Sequence, residues 1–323
     1  MQVKYILSLI ALCCSFSLQA ATYADRPEVQ VFIGEMAKKH QFDPDELEDL
    51  FAQAEKQQKV IDLMQRPAEG KPWYKYRPIF VTPDSAKKGA EFWRLHNKTL
   101  NEVQKRYGVP PQIIVAIIGA ETRYGTNTGD FPVFDTLTTL AFDYPRRAPF
   151  FRGELEQYLL MTRDEQLPTL SLKGSYAGAM GPPQFMPSSY RAYAVDYDDQ
   201  GQINLLANMD DAIVSVANYF HRHHWQTGGT VAVRANVEGT SYKKLISTEM
   251  REGTNVLKPH KPNIHISELK KYGITPSYPV SGDPKVSLIE LENENGKEYW
   301  LGFNNFYVIT RYNHSNLYAM AVY

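Results

Sequence analysis

Thiols are almost missing from the chain: of 323 residues only Cys13 and Cys14 carry one. Both sit inside the apolar run of the amino-terminal stretch MQVKYILSLIALCCSFSLQAAT, which starts basic at Lys4 and ends on small residues at Ala20 and Ala21. Residues 1–21 read as an export signal on that pattern. A chain that loses them has no thiol, which excludes disulfides, thiolate metal sites and cysteine nucleophiles. The apolar run is shorter than a membrane-spanning helix needs, and no later stretch reaches that length, so no transmembrane span is expected. A lipidated cysteine follows a small residue, and Leu12 before Cys13 fits that poorly, which leaves a lipid anchor the lesser expectation.

Charge of one sign is missing as well. The formal net charge is -1, and it becomes more negative once Lys4 is removed. A polyanion binder usually carries a basic stripe, so nucleic acid is not an expected partner. Internal repeats and low-complexity tracts are also absent. With 43% hydrophobic and 22% charged residues the chain is that of an ordinary globular protein, long enough for one large core or a few smaller ones.

Apolar residues at helical spacing run from Val29, Val31, Phe32 and Met36 to Leu47, Leu50 and Phe51, and Asp43-Pro44-Asp45-Glu46 has the make-up of a helix start. A polar, proline-bearing stretch, KPWYKYRPIFVTPDS, separates these from a second helical pattern between Ser85 and Tyr107, closed by Gly108. Pro110-Pro111-Gln112 then opens a helix whose Ile113 to Ile118 are apolar on every side, so that helix must be buried. Another helix is expected from Asp210 and Asp211 to about Trp225. From Gly228 the character changes: TVAVRANV alternates like a strand, and KVSLIELENENGKEYWLGF reads as a hairpin turning at Asn293-Glu294-Asn295-Gly296. The expected organisation is an N-terminal helical domain over 22–102, a core over 103–225, a small β-rich insertion over 226–299, and a return to the core over 300–323.

Glu121 follows Ile117 and Ile118 at helical neighbour spacing, with Ile114 one turn further back. A carboxyl on the apolar side of such a helix loses hydration, which raises its pKa and suits it to act as a general acid. The local pattern is equally that of a solvent-facing glutamate paired with Arg123. Asp130, Asp135 and Asp143 flank turn-like residues and read as turn and cap residues rather than as further catalysts.

The blocks AIIGAETRYGTNTGDFPVFDTLTTLAFDYPRRAPFFRGELEQYL, GSYAGAMGPPQFMPSSY and ITRYNHSNLYAMAV, in that order, resemble the lytic murein transglycosylase B family over most of residues 25–323. The resemblance implies an α+β fold with a lysozyme-like, mainly helical catalytic core, acting in the periplasm on peptidoglycan glycan strands, with cell-wall synthesis machinery as a further partner. It implies cleavage between N-acetylmuramic acid and N-acetylglucosamine to leave a 1,6-anhydromuramoyl end, with no cofactor needed for the chemistry. The family's sole catalytic carboxylate corresponds to Glu121. Ser175 corresponds to the serine that orients the acetamido group, Gln184 to a glutamine lining the sugar site, and Tyr219, Tyr312, Asn313, Tyr318 and Tyr76 to further substrate-binding positions. Arg146 and Arg147 correspond to a pair that meets the stem peptide or the lactyl group, for which forked cations are suited. Pro182-Pro183 departs from the less rigid pair common in the family. A hydrolase of the same bond and a non-catalytic peptidoglycan-binding scaffold are the alternatives.

Asp196-Tyr197-Asp198-Asp199-Gln200-Gly201-Gln202-Ile203 follows the start of an EF-hand loop, with side-chain oxygens at positions one, three and five and glycine at six. Position twelve is Ala207 rather than glutamate. The resemblance implies that an aspartate further along closes the loop, here Asp211, or Asp210 if the register slips by one. A structural calcium ion held by Asp196, Asp198, Gln200, Gln202 and Asp211 is therefore expected. His221, His223 and His224 end a helix without an HExxH pattern and are not read as a zinc site.

Overall fold

The structure, a computed structural model, describes residues 22–65, 70–198, 201–250 and 257–323. The expected export segment and Gln200 lie outside the described residues. The chain divides into two compact units, one ending at Ala54 and the other starting at Glu55.

The first unit holds α1 (Pro27–His40) and α2 (Pro44–Gln53). Val29, Phe32, Ile33 and Met36 are buried along one face of α1. As the Asp-Pro-Asp-Glu start predicts, Asp43 caps α2 by accepting the Asp45 N–H at 2.9 Å. Phe32 meets Phe51 edge-on, with ring centres 6.0 Å apart, and this closes the two-helix unit.

The second unit begins with α3 (Gln58–Met64), α4 (Trp73–Phe80), α5 (Pro83–Leu95), α6 (Asn97–Tyr107) and α7 (Pro111–Thr122). α3 packs on α8 (Val133–Asp143) and α5 packs on α7, which is why the division falls at Ala54 rather than near residue 102. Two local features differ from the sequence expectation. The proline-bearing connector contains a helix, α4, held by burial of Trp73 and Tyr76 despite Pro78 inside it. The pattern from Ser85 to Tyr107 is two helices, because His96 leaves helical geometry (φ -103, ψ 23) with its ring against Phe92 and its Nδ1 3.3 Å from Asp210 Oδ1.

α7 is the centre of the core. Ile113, Ile114, Val115, Ile117 and Ile118 are all buried, and α5, α6, α11 (Met209–Arg222) and α13 (Asn316–Val322) pack around it. Between α7 and α11 run β1 (Phe131–Pro132), α8, α9 (Ala148–Asp164), β2 (Lys173–Gly174) and α10 (Pro187–Tyr193). After α11 the chain builds an antiparallel sheet in the order β4-β6-β7-β3-β5, from β3 (Ala232–Val237), β4 (Ile264–His265), β5 (Ile274–Pro276), β6 (Lys285–Asn293) and β7 (Gly296–Gly302). The hairpin turns where its sequence predicts, with Asn293 paired to Gly296. The sheet has its own core of Ile264, Leu269, Ile274, Val286, Leu288 and Leu301. From Phe303 the chain enters α12 (Asn304–Tyr312) and α13, and α13 lies on both α4 and α7. No helix of the described residues is long and apolar enough to cross a membrane.

Candidate active site

Glu121 lies in the last turn of α7, and there the helix stops abruptly. Arg123, Tyr124 and Gly125 follow in left-handed backbone (φ 50, 63 and 83), a conformation that costs a non-glycine residue about 1 kcal/mol. Tyr124 is held in it by a hydroxyl donated to the Ser85 carbonyl at 2.9 Å. Its ring lies against Gly119, where an added Cβ would come within 2.7 Å of it. The helix is as buried as its composition predicts, but Glu121 itself is only half-buried: the reversal of the chain keeps the carboxyl at the edge of the core instead of inside it.

Two tyrosines from the carboxyl-terminal helices meet this edge. Tyr318, buried on α13, donates its hydroxyl to Glu121 Oε1 at 2.5 Å. Tyr312, at the end of α12, donates to the Pro183 carbonyl at 2.6 Å. Burial first, and the Glu121 charge second, push both phenols well above their ordinary value, so both remain donors at any physiological pH. Tyr76 is buried on α4 and is close enough to Tyr318 to raise it further. Tyr219 packs edge-on against Tyr312 at 4.9 Å, and its hydroxyl donates to the Arg311 carbonyl at 2.6 Å.

A glycine-rich loop completes the cluster. β1 pairs with β2, and at this crossing Gly129 (φ 97) comes so near Gly174 that a Cβ on it would lie 2.1 Å from the Gly174 oxygen. Only glycine fits there. Ser175 follows, its Oγ accepting the Ala179 N–H at 3.1 Å, which leaves its own proton to donate. Gln184, itself left-handed (φ 50), donates through Nε2 to the Thr128 carbonyl at 3.0 Å. Thr122, the neighbour of Glu121, donates to the Pro182 carbonyl at 2.9 Å. The rigid Pro182-Pro183 pair is thus held by one hydroxyl from α7 and one from α12. Sequence reasoning missed Thr122: a buried threonine at a helix end signals no partner across 60 residues.

Asn313 follows Tyr312 directly, and its carbonyl accepts the Ser315 N–H at 2.7 Å. Arg146 and Arg147 lie in a short 3-10 turn before α9. Arg146 is exposed, whereas the Arg147 guanidinium lies over Phe150, 4.3 Å from the ring centre. Asp135 accepts from the Glu55 N–H and Gln57 Nε2, and Asp143 pairs with Lys56 at 3.5 Å, so both serve the α3–α8 contact.

Asp196, Asp198 and Asp211 bring a carboxylate oxygen each within 4.8 Å of one another. Asp211 is buried, its two oxygens accepting the N–H groups of Tyr197 at 3.0 Å and Asn204 at 2.9 Å. Asp196 Oδ2 accepts the Gly201 N–H at 2.7 Å. Asp210 turns to His96 instead, and Asp211 is the aspartate that stands with Asp196 and Asp198. The Gln202 side chain donates to the Glu165 carbonyl at 3.1 Å, and Gln200 lies outside the described residues. His223 stacks on Tyr219 at 4.0 Å, and burial lowers its pKa.

The family described as a transglycosylase SLT domain matches residues 24–323. The membrane-bound lytic murein transglycosylase B of Escherichia coli (strain K12) is 45% identical over 311 residues, covering 93% of this chain and 82% of the relative. The catenated lytic transglycosylase SltB1 of Pseudomonas aeruginosa superposes with a TM-score of 0.85 at 45% identity, over 93% of this chain and 96% of that one. The Escherichia coli lytic transglycosylase Slt35, solved in complex with calcium, superposes with a TM-score of 0.80 at 46% identity, over 93% of this chain and 91% of that one. The likeness spans the whole α+β fold, lysozyme-like helical core included.

Proposed function

The chain belongs to the transglycosylase SLT-domain family, whose lytic murein members cleave peptidoglycan, and within that activity we propose that Glu121 is the one catalytic carboxylate, acting first as acid and then as base. The observation that carries this reading is the Tyr318 hydroxyl on Glu121 Oε1 at the half-buried end of α7. A donor that stays protonated steadies the ionised carboxylate between the two steps.

In the first step Glu121 gives its proton to the oxygen leaving the muramic acid anomeric carbon. The substrate's own acetamido oxygen stabilises that carbon, as in substrate-assisted glycosidases, and the Ser175 hydroxyl orients it. In the second step Glu121 takes the proton of the C6 hydroxyl, whose oxygen closes the 1,6-anhydro ring and frees the acetamido group. Gln184, Asn313, Tyr312, Tyr219 and Tyr76 shape the sugar site, and Arg146 and Arg147 receive carboxylates of the stem peptide or lactyl group. Export to the periplasm follows from the character of residues 1–21.

Product analysis tests the chemistry. Digested peptidoglycan should give anhydromuramoyl ends with the wild type and none with Glu121→Gln. Reducing muramic ends alone would mean a hydrolase, and no turnover by the wild type would favour a scaffold.

Three carboxylates this close repel one another unless a cation lies among them, and hard oxygen donors suit calcium. Asp196, Asp198 and Asp211 would hold the ion, with the Gln200 and Gln202 positions supplying further oxygens, in a structural role away from Glu121. Calcium at about a hundredfold its Kd should stabilise the folded state by about 2.7 kcal/mol. The melting temperature should rise by several degrees in the wild type and stay level in Asp211→Asn; a level response in the wild type would end the calcium reading.

A further inference from the structure

One buried carboxyl in the same unit takes no part in the proposed chemistry. Glu154, in the middle of α9, is 6% exposed and faces the start of α10. Its Oε2 accepts the Ser188 N–H at 3.0 Å and its Oε1 accepts the Ser188 hydroxyl at 2.7 Å. Ser188 stands four residues after Gln184 and one after Pro187, which opens α10. Between them the chain is tight: the Met180 and Phe185 backbones bond to each other in both directions at 2.9 and 3.1 Å. Only Phe185, Met186 and Pro187 separate Gln184 from Ser188, so a shift of Ser188 is expected to reach Gln184. Arg147, in the turn that leads into α9, carries a positive charge that lowers the Glu154 pKa, and its guanidinium lies 5.2 Å from the ring centre of Phe151.

We infer that Glu154 is a positioning residue for substrate binding, holding the Gln184 loop through Ser188 without touching the sugar. The inference rests on the reading of Gln184 as a substrate contact. A carboxylate buried in the core that holds the residue four positions after Gln184 helps to set where that loop lies, and displacement of about 1 Å in a positioning group can cost up to about a hundredfold in rate or affinity.

The test uses the purified full chain and a soluble tetrasaccharide of alternating N-acetylglucosamine and N-acetylmuramic acid, with and without stem peptides. Glu154→Ala should raise KM about tenfold while kcat changes little, because Glu121 and Tyr318 lie on α7 and α13 and remain in place. Glu154→Gln keeps an acceptor for the Ser188 N–H and should restore KM for both substrates. Ser188→Ala should raise KM for both substrates. A Glu154→Ala protein that melts lower but keeps its KM overturns the inference and leaves Glu154 with a structural role only. Gln184→Ala measured in parallel separates the two levels. If it raises KM and Glu154→Ala does not, the failure is Glu154's alone. If neither raises KM, the reading of Gln184 fails and takes the inference with it.

Discussion

The end of α7 and the middle of α9 each present a glutamate, one half-exposed and one buried, and we assign the two opposite uses. Glu154 is sealed in, with both oxygens engaged by one serine. Glu121 is half-exposed and stands where the helix breaks into left-handed backbone. A carboxyl that exchanges a proton with substrate must be reachable and must keep an acceptor oxygen for the incoming group; a carboxyl that fixes geometry must be neither. Burial by itself therefore does not mark the reactive acid, and the more buried of these two is the less suited to the chemistry.

The contrast yields measurements in descending order of effect. Glu121→Gln should lower turnover by about a thousandfold, within the range for loss of a general acid and base, with the melting temperature nearly unchanged; retained turnover would erase the distinction between the two glutamates. Glu154→Ala should do the reverse, costing about 1–3 kcal/mol of stability by leaving the half-buried Ser188 donors without their acceptor, seen as a melting temperature lower by several degrees. Tyr318→Phe should reduce kcat by about tenfold to a hundredfold, the worth of one hydrogen bond to a charged group, and leave KM near its wild-type value. An unchanged kcat would remove Tyr318 from the mechanism.

The smallest effect is one of pH. Burial raises the Glu154 carboxyl above its ordinary value, and the Ser188 bonds and the Arg147 charge only partly offset this. Arg147 is the charged group acting on it, since Arg191 of α10 is taken up by Gln157 and Asp164. A carboxyl raised on folding contributes stability that is complete below its unfolded value near pH 4 and is lost as pH climbs through the raised folded value. Glu154→Gln removes that titration, so its melting temperature should fall less between about pH 4 and pH 7 than the wild type's. Parallel curves for the two proteins would show that Glu154 does not titrate in this window.

Much of this architecture was legible because it is local. The Asp43 start of α2, the all-apolar α7, the stop at Gly108 and the hairpin turning between Asn293 and Gly296 each announce themselves within a dozen residues. α4 and the break at His96 did not, because tertiary contacts overrode local signals: burial of Trp73 and Tyr76 made a helix around Pro78, and packing between Phe92 and Asp210 broke one at His96. At the site, the residue types were legible and their partners were not. Thr122 to Pro182, Tyr312 to Pro183, Tyr318 to Glu121 and Glu154 to Ser188 all join residues more than thirty positions apart, and no periodicity encodes such a bond.

By itself the sequence determined that α7 is buried, that it carries Glu121, that the blocks around it are those of a peptidoglycan-cleaving family, and that an aspartate-rich loop lies before α11. Periodicity, caps and motif spacing are properties of neighbouring residues, so they survive in one dimension. The tertiary structure alone decided that Glu121 stops short of full burial, that Tyr318 supplies its hydrogen bond, that Asp211 rather than Asp210 joins the other aspartates, and that Glu154 holds α10. Each of these depends on which groups meet once α7, α9, α11 and α13 are packed together, and hydrogen-bond partners are chosen by distance in space, not along the chain.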